Sequence, residues 1–281
     1  MMKDSDAGPD KVPGLDDPGL IGAGPNPNEE MWEALLTGKD DRLLRTRRIW
    51  RHVPSAPRCK VCASPFHGPG GAVARIFMHG PTEPGSLLCR ACFGRLQEHP
   101  GGAEVPLSIL FADVRGSTGI AERTAASTFS RLLQRFYDAA ASAIDEADGV
   151  VDKFLGDGVM ALFIPVIAGE AHAGRAIQAG RDILRRAAAA EFAEAGMGIG
   201  VGVHSGLAFA GAVGAGSRID FTALGDAVNV AARLGGEAQA GELLVSAAAW
   251  ENAGEAGPSD DERRVLQLKG RSDPLEVVVV R

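Results

Sequence analysis

Asp113 closes the apolar run Leu110-Phe111-Ala112, and Asp157 sits between Gly156 and Gly158 after Val151-Asp152-Lys153-Phe154-Leu155. A carboxylate at the end of an apolar strand, beside a glycine turn, can leave the sheet surface and face a ligand. Two of them on neighbouring strands make an all-oxygen site for a hard divalent cation such as magnesium. The alternative for either aspartate alone is a helix or turn cap, since helix N-termini favour Asp. Next to Asp113, Arg115-Gly116-Ser117-Thr118 reads as a strand-to-helix turn whose backbone amides suit phosphate oxygens. Paired metal carboxylates at such a turn point to phosphate chemistry. A third segment, residues 220–234, reads as a helix from Asp226 onward. Asn229 and Arg233 are four apart and share one face of it. Asn offers a directed amide there, and Arg a planar cation fitted to phosphate. Val228, Ala231, Ala232 and Leu234 are available to pack inward.

All four cysteines of the chain fall in two CxxC pairs, Cys59-Lys60-Val61-Cys62 and Cys89-Arg90-Ala91-Cys92. Two thiolate pairs on tight turns can close a tetrahedral zinc site, and a cytosolic setting disfavours structural disulfides. A redox dithiol, an iron–sulfur cluster or incidental thiols are the alternatives. His52, His67 and His79 could replace a ligand, but four cysteines already fill the shell, so each histidine reads as a surface residue.

The elements that must position these groups follow from patterning. A chain of 281 residues with 45% apolar residues accommodates two units and a sizeable core. The net charge of −7 argues against a nucleic-acid partner, local basic patches aside. No apolar run reaches membrane-spanning length and the acidic N-terminus lacks a signal peptide's apolar stretch, so the expectation is a soluble cytoplasmic protein. Residues 1–28, rich in Gly, Pro and Asp, read as a disordered tail. Residues 29–56 read as short helices, the second carrying Arg42, Arg45, Arg47, Arg48 and Arg51. Such a basic helix could touch anionic lipid, nucleic acid or an acidic protein partner, but a solvated face packed on the next module is the simpler reading. That module, residues 57–100, holds the cysteines, and residues 93–106 read as a short helix and a linker. Beyond it the pattern alternates: a strand at 107–112, one long helix at 117–147, a hairpin of 150–155 with 159–164, a helix at 169–192 and a strand at 197–204. This is the βαββαβ order of an α+β, ferredoxin-like core. Further strands are expected at 207–213, 243–245, 264–269 and 275–280.

With three segments in this order, residues 105–281 resemble the catalytic domain of the class III nucleotide cyclases, in the threonine-bearing adenylate cyclase subgroup. The resemblance implies that Asp113 and Asp157, with the Val114 carbonyl, bind two Mg²⁺ or Mn²⁺ ions. One ion would lower the pKa of the ribose 3′-hydroxyl, and the other would hold the triphosphate and steady the leaving pyrophosphate. Gly116, Ser117 and Thr118 match the turn that cradles the terminal phosphates. Arg233 matches the arginine stabilising charge at the α-phosphate, Asn229 the residue that positions the ribose, and Lys269 a phosphate-contacting lysine. Lys153, four residues before Asp157, matches the donor to adenine N1. Thr222 matches the second base-reading position, where many relatives have aspartate; its hydroxyl can accept from the 6-amino group. Guanylate cyclases carry an acidic residue at the lysine position, so Lys153 argues for ATP. Ser117 departs from the phenylalanine of many relatives. In the family one domain supplies the aspartates and its partner the lysine, threonine, asparagine and arginine. One chain with every role filled therefore implies a head-to-tail homodimer whose activity depends on concentration. A guanylate or relaxed-specificity cyclase, a non-catalytic signalling module built on the cyclase dimer, and a cysteine-module adaptor are the competing readings.

Overall fold

The computed structural model describes residues 28–281 except 54–56, 83–87, 100, 190–191, 193, 216–217, 255–261, 269–270 and 272. The tail expected to be disordered lies outside the described residues but for Asn28, and Lys269 lies outside them too.

Helices α1 (Glu29–Leu36) and α2 (Asp41–Arg51) open the described chain. The side chain of Asp40 caps α2 by accepting from the backbone N–H groups of Arg42 and Leu43. Cys59 and Cys62 precede α3 (Gly68–Ile76), whereas Cys89 caps α4 (Arg90–Glu98), which carries Cys92. No linker follows: strand β1 (Gly101–Arg115) starts three residues after α4 and runs six residues earlier than patterning suggests. The expected long helix is two, α5 (Ser117–Arg123) and α6 (Ala126–Glu146), because Thr124 is extended at the break. Strands β2 (Val150–Leu155) and β3 (Gly158–Phe163) form the hairpin. Next come α7 (Pro165–Ala168) and α8 (His172–Ala187), separated at Gly169, whose φ of 74° no helix continues through.

Strand β4 (Gly198–Ala215) is one unbroken strand where two were expected, since residues 205–206 continue the pairing with β1 instead of turning. Strand β5 (Arg218–Leu224), which the patterning missed, folds back on its outer half. The chain ends with α9 (Asp226–Glu237), β6 (Leu243–Ser246), α10 (Ala247–Asn252), β7 (Arg263–Leu266) and β8 (Leu275–Val280). The sheet order is β2-β3-β1-β4-β6-β8-β7, with β5 branching from β4. Its β1-α-β2-β3-α8-β4 portion is the expected ferredoxin-like α+β core, enlarged to eight strands.

Both faces of the sheet are covered. Phe136, Ala140 and Ile144 of α6 and Ile177 and Ile183 of α8 pack with Leu110, Val201 and Val203 on one face. On the other, Trp32 and Leu36 of α1, Phe66 and the four cysteines join Val105, Leu107, Ile109 and Leu162 in a single apolar cluster. The cysteine module is thus fused to the sheet through a shared core. Helix α9 lies on this second face through Ala227 and Ala231. It approaches so closely that a Cβ at Gly202 of β4 would sit 2.2 Å from the Gly235 nitrogen. Its inward residues are Ala227, Val230, Ala231 and Leu234, with Val228 and Ala232 only half-buried. No helix among the described residues is long and apolar enough to cross a membrane.

Candidate active site

Antiparallel register places Asp113 of β1 directly opposite Gly158, the first residue of β3. Asp157 is therefore the last residue of the β2–β3 turn and lies beside Asp113. The turn is locked to β1, because the Val114 N–H donates to the Asp157 carbonyl at 3.2 Å. Gly156 takes φ 65° at its bend, a left-handed conformation that glycine adopts without cost. The Tyr137 hydroxyl, from α6, donates to the Gly156 carbonyl, and its ring packs on Phe154 at 4.4 Å between centroids. Burial, and then the nearby Asp157 carboxylate, push the Tyr137 phenol up.

Asp113 is half-buried. Burial pushes its carboxyl above the ordinary range, the Arg115 guanidinium pulls it back, and the Asp157 carboxylate pushes it up again. Arg115 pairs with Asp113 through one nitrogen and donates to the Gly236 carbonyl of α9 through another at 2.6 Å. Its Nε is buried without a hydrogen-bond partner. Two adjacent carboxylates whose repulsion is only partly offset are the oxygen donor set that a hard divalent cation requires. Gly116 caps α5 in the left-handed conformation, leaving Ser117 half-buried and Thr118 exposed at the turn.

On α9, Asn229 is exposed and Arg233 half-buried. Neither side chain is engaged by a hydrogen bond or ion pair among the described residues. Asp226, in the first turn, pairs with Arg271. Thr222 of β5 is buried, and its hydroxyl donates to Oδ2 of Asp152 at 2.7 Å. Lys153 Nζ stands 3.5 Å from the same oxygen. Asp152 and Lys153 both line a cavity of about 320 Å³ whose other walls include Leu36 of α1, Val61 of the first cysteine pair and Phe221 of β5. The register shifts between Val151 and Lys153, so strict alternation fails on β2 and the two neighbours face one cavity. Alternation alone would have sent them to opposite faces, which is why Asp152 escapes a sequence reading. Tyr137 and Arg271 escape it for another reason, their partners being a backbone carbonyl and a carboxylate distant in sequence, as is the Gly236 carbonyl that Arg115 meets besides Asp113.

The four cysteine sulfurs all lie within 4.8 Å of one another, and none forms a disulfide. Sulfurs around a tetrahedral zinc are about 3.8 Å apart at its usual bond length; Cys62 and Cys89 stand at 3.6 Å. The cluster could therefore hold a metal. Backbone N–H groups of Cys89 and Cys92 point at the Cys59 and Cys89 sulfurs, each at 3.4 Å. The crowded thiols cannot ionise alike: the contact with Cys59 lowers Cys62 to about 6 while the same crowding raises Cys59. His79 is not the surface residue expected. Its Nδ1 lies 3.6 Å from the Cys62 sulfur and 3.5 Å from that of Cys89. Burial lowers its pKa, but the two sulfurs outweigh that and hold it above the ordinary value. His52 and His67 are exposed, as expected. The basic helix turns inward to this cluster: Arg47 Nη1 donates to the Lys60 and Val61 carbonyls at 2.8 and 2.5 Å.

Residues 103–280 match the family model described as the adenylate and guanylate cyclase catalytic domain. An adenylate cyclase of Anabaena cylindrica is 38% identical over 134 residues, which cover 46% of this chain and 27% of that protein. Adenylate cyclase 1 of Rhizobium meliloti is 31% identical over 135 residues, 46% of this chain and 20% of its own length. The chain thus spans less than a third of either relative. Among solved structures, the guanylyl cyclase Cya2 superposes with a TM-score of 0.59 at 26% identity, covering 64% of this chain and 93% of that one. The adenylyl cyclase CyaB from P. aeruginosa gives 0.56 at 26% identity, covering 63% and 95%. Enzymes named for either nucleotide therefore share this fold, and the match of residues 103–280 places the chain in the adenylate/guanylate cyclase catalytic-domain family.

Proposed function

We propose that the protein is an adenylate cyclase, forming 3′,5′-cyclic AMP and pyrophosphate from ATP at the interface of a homodimer. The observation that carries this reading is the meeting of Asp113 and Asp157, fixed by the β1–β3 register inside the family-matched segment. Both carboxylates, with the Val114 carbonyl, would hold two Mg²⁺ or Mn²⁺ ions, which supply positive charge to acidify the ribose 3′-hydroxyl and neutralise the triphosphate. The turn at Gly116, Ser117 and Thr118 receives the terminal phosphates, with Lys269 as a further phosphate contact. Arg233 of the partner protomer bears on the α-phosphate, where negative charge grows as the hydroxyl attacks and pyrophosphate leaves. Asn229 orients the ribose for in-line attack. Lys153 donates to N1 of the base, an acceptor in adenine and an N–H in guanine, and Thr222 completes the reading of its 6-position. The cysteine cluster binds structural zinc and holds the N-terminal helices on the sheet.

A guanylate or relaxed-specificity cyclase is the second reading, favoured by the likeness to Cya2. Incubation of the purified protein with ATP or GTP and Mn²⁺ or Mg²⁺, alongside Asp157→Ala, separates the two. Cyclic AMP that falls by about a hundredfold or more in the variant is the expected result. Cyclic GMP in excess supports the second reading. Silence with both nucleotides, from protein verified as dimeric, overturns both.

A further inference from the structure

A threonine hydroxyl is a poor discriminator by itself. It can donate to the 6-oxo group of guanine as readily as it accepts from the 6-amino group of adenine, because its hydrogen rotates to suit. In this chain the rotor is not free. The Thr222 hydroxyl hydrogen is given to Asp152 Oδ2 at 2.7 Å. That carboxylate is largely shielded from water, its side chain being 2% exposed, and the same oxygen faces Lys153 Nζ at 3.5 Å. With its hydrogen committed to a buried carboxylate, Thr222 presents only lone pairs in any other direction.

We infer that Asp152 is a specificity-determining positioning residue: by taking the Thr222 hydroxyl hydrogen and holding the Lys153 ammonium, it makes the pair an acceptor and a donor of fixed sense. The base edge that fits an acceptor at position 6 and a donor at N1 is adenine's. Guanine would set its 6-oxo lone pairs against those of Thr222 and its N1–H against the ammonium. The discrimination that other relatives obtain from an aspartate at position 222 is obtained here from a threonine and a carboxylate on the neighbouring strand. Asp152 acts through Thr222 and Lys153 and need not touch the nucleotide.

This assignment rests on the cyclase reading and is tested by a cycle of Asp152→Ala, Thr222→Val and the double variant in the full-length protein. The ATP-to-GTP ratio of kcat/KM is measured for each, with dimer mass and melting temperature as controls for folding. Losing the fixed hydrogen bond should lower the ratio by about tenfold or more in Asp152→Ala. Thr222→Val should lower it similarly, and the double variant should lose no more than either single one, since both remove the same device. Asp152→Asn should lose less, because the amide oxygen still accepts the hydroxyl hydrogen. A variant too weak for kinetics is read by competition of ATP against GTP for binding in the presence of Ca²⁺. An unchanged ratio in Asp152→Ala, or fully additive losses, overturns the assignment while leaving the cyclase reading in place. A wild-type protein that forms no cyclic nucleotide overturns the cyclase reading itself, and this assignment with it.

Discussion

His204 of β4 points its Nδ1 at Ser246 Oγ, 2.8 Å away, while that oxygen accepts the Ala249 N–H at the start of α10. The serine oxygen keeps a second lone pair, so either atom of the pair can donate; burial is what makes the folded site favour neutral imidazole. Burial lowers its pKa most, and the Arg271 guanidinium lowers it further against the opposing Asp226 carboxylate, to about 4. The unfolded chain takes that proton near the ordinary 6.5, so between those values it binds more protons than the folded one. Stability is full above that window and falls as pH drops through it, by about 3 kcal/mol in all from this group. Urea midpoints measured from pH 7 to pH 4 should show the decline, and His204→Asn should flatten it. At this scale the sequence was legible where chemistry is local. Asp113 and Asp157 declare themselves by glycine turns after apolar runs, and Asn229 and Arg233 by helical spacing. Asp152 and His79 did not, since a bulge and a distant thiolate pair set their surroundings.

Helices and strands follow patterning where one face is buried and depart from it where the backbone makes the decision. Thr124 splits the expected long helix, and Gly169 separates α7 from α8. Strand β5 was missed even though Ile219, Phe221 and Ala223 alternate with Arg218, Asp220 and Thr222; it pairs with the outer half of β4. The sequence also suggested a linker before β1, whereas α1 joins the sheet directly. Trp32 is 1% exposed and its ring stacks on Phe221 with centroids 6.3 Å apart, next to Thr222. Its indole N–H donates to the His99 carbonyl at 3.1 Å. Truncation in Trp32→Ala should cost about 3–5 kcal/mol in urea denaturation. Because the four cysteines belong to the same apolar cluster, stripping a bound metal with a strong chelator should lower Tm and red-shift tryptophan fluorescence together. A change in metal content with neither effect would show the module to be energetically separate from the sheet.

At the scale of the whole molecule, the proposed site divides between two chains. Asp113 and Asp157 meet at the β1–β3 end, while Arg233 and Asn229 stand on α9 without an ionic or hydrogen-bonded partner among the described residues. Groups left free in this way suit a nucleotide carried by a second copy, and a two-fold dimer then makes two identical sites. Specific activity should fall on dilution below the dimer dissociation constant and recover on reconcentration. Each site needs aspartates from one protomer and Arg233 from the other, so two dead variants can complement. Asp157→Ala and Arg233→Ala, each silent alone, are mixed under conditions that allow exchange of protomers, and cyclic AMP is measured. Half of the dimers are then mixed, and each has one intact site, so about a quarter of wild-type activity is predicted. A mixture as silent as its components, with exchange verified and the wild type active, would contradict the shared site.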